Sequence, residues 1–456
     1  MTGATTTLGR IALAAVLIAT SAGAASVSPP SAGGAQVVRL TLADAIARGL
    51  EYNLGVVAGA ERVREAEGAR RVARAALLPQ LSFGALQARE EISYEAYGLP
   101  VAPGTSPIVG PFDVADARLY LAQPLLDLSA ASSARAAARR RTASQSAFAD
   151  TREAVVYGVA ELYLRAVTAA SRIAAAEAQL RTAQALYDRA ADMKKAGTAP
   201  GIEVLRARVE LADEQQRLIA DENDLAKEKL ALARAIGLSL EQPLELADTM
   251  PGGALPDVTQ AGALAQAFED RHDLKALDLE VEAAEAERAS ARDEALPSLW
   301  ASADVGRIGP SFASAKSTFT LTATLRLPLF EGGRIKGALI QADARLAALR
   351  ARRADLRRQV EYDVRAAFLD LRAAGERVRV NRGAVELADD QLAQAQDRFS
   401  AGVSDNLEVV QAQGAVATAN ENYLSSLYAC NLAKLALARA IGVAEERAGE
   451  FLEGAK

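Results

Sequence analysis

The sequence predicts an α+β chain in which one unit (helix, strand, strand, very long helix, returning helix) occurs twice. Three observations predict it. Motifs recur in the same order about 205 residues apart, short segments alternate between apolar and polar side chains, and two proline-free stretches are too long for a compact domain.

The duplication is legible from both ends. LALARAIGL at 230–238 returns as LALARAIGV at 435–443. Ala196-Gly197-Thr198-Ala199, followed by Ile202, Glu203 and Val204, returns as Ala401-Gly402-Val403-Ser404, followed by Leu407, Glu408 and Val409. Pro124-Leu125-Leu126-Asp127 returns as Pro328-Leu329-Phe330-Glu331, and residues 51–81 pair with 269–299. The order never changes, so the chain divides into a leader at 1–24, a first repeat at 25–245 and a second at 246–456.

The leader has the form of a secretory signal. Arg10 is its only charge, Ile11 to Ala19 is apolar, and Ala22-Gly23-Ala24 offers small residues for cleavage after Ala24. The alternative, a transmembrane anchor, needs about 20 apolar residues. The single Cys430 allows no internal disulfide, and no cysteine follows the leader to carry a lipid. Cys430 shares a helical stripe with Val416, Tyr423 and Leu427 and reads as a packed apolar residue. A net charge of −6 argues against binding nucleic acid; Arg139-Arg140-Arg141 reads as a solvated or headgroup-facing patch.

Each repeat opens with a shorter helix, for which Thr41 and Thr259 are suitable N-caps, running up to a Leu-Pro boundary at 78–79 or 296–297. The period then changes from helical to two. At 318–327, Phe319, Leu321, Ala323, Leu325 and Leu327 point one way and Thr318, Thr320, Thr322, Thr324 and Arg326 the other. In the first copy Ala115, Ala117, Leu119 and Leu121 take the apolar places, and Asp116, Arg118 and Tyr120 the polar ones. Preceding strands near 80–89 and 298–306 alternate more weakly, with Gly/Pro/Ser-rich loops at roughly 90–112 and 306–317. Such strands suit a wall between lipid and water, although a one-sided soluble sheet reads the same way. Four strands cannot close a barrel, since about eight are needed, so a membrane role requires several copies of the chain.

From about 130 to 195 and 334 to 400 there is no proline. A continuous helix of ~65 residues at 1.5 Å per residue is close to 100 Å long. Leu349, Leu356, Val360, Val364, Ala367 and Leu371 form a coiled-coil stripe along the second of these. Glycine turns at Gly197 and Gly402 lead into returning helices that stop at Gly237 and Gly442.

Chemistry finds little to build on. One His, one Cys and three Met give no nucleophile with a base, no metal-ligand spacing and no phosphate loop, so no enzyme, cofactor or metal is expected. His272, beside Asp273, reads as a capping or surface residue; Trp300 and Tyr120 read as interface anchors or as plain packing.

The leader, the duplicated units, the LLPQL and ALPSL boundaries and the paired Ala-Gly turns together resemble the TolC-like outer-membrane efflux family over about residues 40–443. The resemblance implies a homotrimer in the outer membrane of a Gram-negative bacterium. Its twelve-stranded β-barrel would continue into a long periplasmic α-helical coiled-coil barrel. It implies a passive exit duct of a tripartite efflux or type I secretion system. Its partners would be a periplasmic adaptor (membrane fusion) protein, an inner-membrane pump and outer-membrane lipid, with no nucleic acid. The turns Gly197-Thr198 and Gly402-Val403 resemble adaptor-docking tips, and Glu203 and Glu408 resemble acids at the periplasmic entrance. Where family members often carry a second acid, three residues after Glu408, this chain has Gln411. Read from the residues alone, both glutamates also suit solvated helix starts favoured by the macrodipole. The chain likewise also suits an exported periplasmic coiled-coil scaffold or adaptor that never enters a membrane.

Overall fold

The computed structural model describes residues 37–198, 200–252, 254–401, 403–404 and 406–453. The leader expected at 1–24 and the turn residue Gly402 lie outside the described residues. In chain order the elements are β1 (Val38–Leu40), α1 (Leu42–Tyr52), α2 (Leu54–Ala75), β2 (Gln80–Ser93), β3 (Ile108–Leu126), α3 (Leu128–Lys195), α4 (Gly201–Ala235) and β4 (Leu244–Leu246). The second half continues with α5 (Gln260–Asp270), α6 (His272–Asp293), β5 (Ser298–Gly309), β6 (Lys316–Arg326), α7 (Arg334–Ser400), α8 (Asn406–Ile441) and α9 (Ala444–Glu453). Helices α3 and α7 run unbroken for 68 and 67 residues. Among the described residues no helix is long and apolar enough to cross a membrane.

The helix expected before each Leu-Pro boundary is two helices. Thr41 caps α1 through a reciprocal box, its hydroxyl accepting from the Asp44 N–H at 3.1 Å while its own N–H donates to the Asp44 carboxylate at 3.2 Å. The chain then breaks at Asn53, whose side-chain oxygen accepts from the Gly55 N–H at 2.8 Å and starts α2 afresh. Its amide donates to the Ala235 carbonyl at 3.0 Å, tying the break to the end of α4. In the second half the break falls at Arg271, which is buried and donates to Asp273 at 2.7 Å and to Asp363 of α7 at 2.8 Å. Gly442, at φ +89°, ends α8 against this break; a Cβ there would stand 3.0 Å from the Arg271 Cα. Arg271, rather than its neighbour His272, is the organising residue.

Two short elements escaped the sequence. β1 and β4 pair in parallel, Val38 with Leu244 and Leu40 with Leu246, so each residue meets the one 206 positions on. The repeat boundary expected between 245 and 246 falls within β4. After α8, α9 folds back with its N-terminus on Glu153 of α3, whose carboxylate accepts from the Ala444 N–H at 2.7 Å and the Glu445 N–H at 3.2 Å. Burial pushes the Glu153 carboxyl up, against the pull of these two bonds.

The main core lies here. Val360, Val364, Ala367 and Leu371 of α7 pack with Val156, Ala160 and Leu164 of α3, Leu435 and Leu437 of α8, and Phe451 and Leu452 of α9. Cys430 is buried in the same cluster and burial pushes its thiol up, as suits a packed residue rather than a nucleophile. The arginine cluster of α3 is solvated, as expected, and each member also pairs with an acid of a neighbouring helix. Arg139 pairs with Glu282 at 3.1 Å, Arg140 with Glu287, and Arg141 with Glu67 at 3.4 Å. These acids sit on α6 and α2, so the cluster is a belt between helices, invisible in sequence because its partners are remote.

Candidate functional site

The longer strands form one antiparallel sheet in the order β2-β3-β5-β6, so β2 and β6 are edges paired on one side only. Its register sorts the whole sheet into two faces. Leu321, Ala303, Leu121 and Leu81 stand in one row, and Phe319, Val305, Leu119 and Phe83 in the next. The opposite face carries Thr322, Ser302, Ala122 and Gln80, then Thr320, Asp304, Tyr120 and Ser82. Because side chains alternate, one row out of step would have mixed the faces. The apolar face is bare: Phe319 is 80% exposed, Leu321 77% and Leu325 69%. Trp300 opposes Thr324 and Tyr120 opposes Asp304, so both aromatic residues lie on the polar face. There Arg118 also bridges Asp116 at 2.7 Å and Asp304 at 2.6 Å.

At the far ends of the long helices the two turns lie side by side. Leu186, Ala190 and Ala207 from α3 and α4 share one buried cluster with Ala395, Phe399, Val409 and Ala412 from α7 and α8. Gly197 takes φ +73° and its N–H donates to the Lys194 carbonyl at 3.0 Å, while the Thr198 N–H donates to the Met193 carbonyl at 2.9 Å. These bonds close the C-terminus of α3, and the left-handed conformation is what glycine supplies. Nothing lies within 4 Å of where a Cβ would stand, so the glycine serves the turn and not a close approach. The second turn repeats the pattern, with the Val403 N–H donating to the Arg398 carbonyl at 3.1 Å and the Val403 side chain exposed.

The acids in these turns differ. Glu203, in the first turn of α4, is buried and lies 3.6 Å from Arg206. Glu408, in the first turn of α8, keeps a side chain 41% exposed and lies 3.4 Å from Arg398 of α7. Gln411 is exposed one turn further on. Of the two acids, Glu408 is the one presented to solvent.

Sequence reasoning missed Arg398, the cross-turn partner of Glu408, although an arginine in the last turn of α7 was a visible signal. It also missed Gln413, buried between the hairpins, for which no signal exists in one chain. Among the described residues no group of three or more His, Cys, Asp or Glu could hold a metal ion.

The chain matches the family described as outer membrane efflux protein over residues 46–238 and 263–443. It is 25% identical over 408 residues to the pyoverdine export outer membrane protein OpmQ of Pseudomonas putida, covering 87% of this chain and 84% of the relative. It is 25% identical over 325 residues to the toluene efflux pump outer membrane protein TtgC, also of Pseudomonas putida. That match covers 66% of this chain and 62% of the relative, just under two thirds of its length. In fold, it resembles the outer membrane protein VceC from Vibrio cholerae with a TM-score of 0.76 at 21% identity, covering 88% of this chain and 96% of that one.

Proposed function

We propose, because the chain belongs to the outer membrane efflux protein family, that it is the outer-membrane exit duct of a tripartite efflux or type I secretion system in a Gram-negative bacterium. One observation carries the reading: a four-stranded sheet, apolar on one face and polar on the other, has both edges open and leads directly into helices of 68 and 67 residues. Open edges are forbidden in hydrocarbon, and four strands are too few to close. Three copies, with β6 of each pairing to β2 of the next, would make a barrel of twelve strands. Its apolar rows would face lipid and its threonines, Arg118 and Asp304 the water-filled interior. The helices, about 100 Å long at 1.5 Å per residue, would continue the conduit through the periplasm.

In this reading residues 1–24 direct export, and the mature chain is two repeats, 25–245 and 246–456. The tips at Gly197-Thr198 and Gly402-Val403 dock a periplasmic adaptor. Glu408, with Glu203 behind it and Gln411 beyond it, lines the entrance. Substrates move passively, and an inner-membrane pump supplies the energy. A periplasmic scaffold has no use for a bare apolar sheet face, which counts against that alternative. Fractionation tests the choice. A heat-modifiable trimer in the outer membrane is expected; a soluble, elongated monomer in the periplasm overturns it.

A further inference from the structure

On the side of the tip cluster away from the turns, the two helix hairpins separate around a cavity of about 330 Å³. Alanines at 175, 178 and 183 of α3 leave the room, where larger side chains would have closed it. The α4 wall carries Glu210 and Glu214, and the facing wall of α7 and α8 carries Asp389 and Gln413, with Leu392 and Val416 beside them. Gln413 is 9% exposed, and among the described residues neither its amide oxygen nor its amide nitrogen has a hydrogen-bond partner. A buried amide left unpaired is costly, so the position calls for a polar partner that the protein does not supply.

The charges say which kind. Glu214 is buried and has Arg217 at 3.0 Å, but that guanidinium also donates to Gln179 at 3.0 Å. Glu210 accepts no hydrogen bond among the described residues, and burial pushes both carboxyls up. The walls are therefore short of positive charge. The acids do not converge as a metal site, and the aliphatic residues favour a ligand with an apolar body.

We propose that this cavity binds a short linear alkyl diammonium. One ammonium sits at Glu210 and Glu214, the other at Asp389 and the Gln413 amide oxygen, and the methylene chain lies along Leu392 and Val416. Each ammonium donates three hydrogen bonds and accepts none, which matches walls rich in acceptors. Such a ligand ties α4 to α7 and α8. Beside the cavity the ion pair of Arg172 on α3 with Glu421 on α8, at 2.5 Å, also joins the hairpins. Occupancy therefore resists separation of the hairpins.

Calorimetric titration of the purified full-length protein with 1,5-diaminopentane tests the site, whatever membrane the protein occupies. Saturable binding is expected, weakened roughly tenfold or more, about 1.4 kcal/mol, by Glu210→Gln and by Gln413→Leu. Pentylamine, with one charge, should bind weaker by a similar factor. Absence of saturable binding at millimolar diamine overturns the proposal, as does unchanged affinity in Glu210→Gln. That variant loses no hydrogen bond, so it keeps the test decisive if Gln413→Leu fails to fold. Pentylamine binding as tightly as the diamine overturns the two-headed geometry.

Discussion

Arg398 Nε lies 3.4 Å from Glu408 Oε1 across the α7–α8 turn, so the more exposed of the two acids that open the returning helices is already paired. An exposed pair of this kind contributes little to stability, but it sets the local field.

Repeated around a threefold axis, Glu408 would favour cations at a narrow mouth, and Arg398 would temper that preference. In planar bilayers Glu408→Gln should lower cation selectivity and weaken block by multivalent cations from the periplasmic side. Arg398→Gln should raise both, most at low salt where screening is least. Unchanged selectivity and block in correctly assembled Glu203→Gln/Glu408→Gln channels would leave these acids as helix caps only.

The register makes a second prediction. Leu325 shares the apolar face with Leu299, while Thr324 opposes Trp300 on the polar one. Leu325→Arg should impair assembly, since a cation at mid-depth on a lipid-facing strand costs roughly 2–4 kcal/mol, and Thr324→Arg should assemble. Trimer yield in the outer membrane decides, and the reverse result would invert the faces.

Period and punctuation made the sheet faces and long helices legible, because a one-residue slip along β6 would have exchanged each threonine for an apolar neighbour, Phe319, Leu321, Ala323 or Leu325. Leu349 to Leu371 lie along α7 as the stripe required, with Val360 and Val364 fully buried. The three-residue strands β1 and β4 are shorter than any period can register. The breaks at Asn53 and Arg271 depend on partners far along the chain, Ala235 and Asp363, as does the arginine belt. Of Glu203 and Glu408, sequence located the turn but not the difference in exposure between them.

Gly197 supplies a third prediction. Its φ of +73° strains any side chain, yet open space surrounds the missing Cβ. Gly197→Ala should cost about 1–2 kcal/mol locally and leave the trimer intact. Gly197→Asn should cost less, since asparagine tolerates this conformation. A bulky Gly197→Trp should abolish export with trimers still in the membrane. Loss of trimers would assign the glycine to folding instead of docking.

The last prediction concerns pH and the break between α5 and α6. Burial alone pushes the Asp273 carboxyl up, but the Arg271 guanidinium and the Leu274 N–H more than reverse this, holding it below the usual carboxylate range. A carboxyl depressed on folding contributes stability that is complete above its unfolded value, about 4, and is lost as pH falls through the lower folded value. Asp273→Asn should therefore cost on the order of 3 kcal/mol at neutral pH, because it leaves Arg271 buried with one carboxylate partner, Asp363, in place of two. The cost should begin to shrink as pH drops below about 4, where the unfolded chain's carboxyl takes up a proton, and should go on shrinking as pH falls through the lower folded value. Thermal unfolding of both proteins by circular dichroism from pH 7 to pH 3 measures the gap. A gap that stays constant across that range would assign the loss to packing around α6 and not to the charge on Asp273.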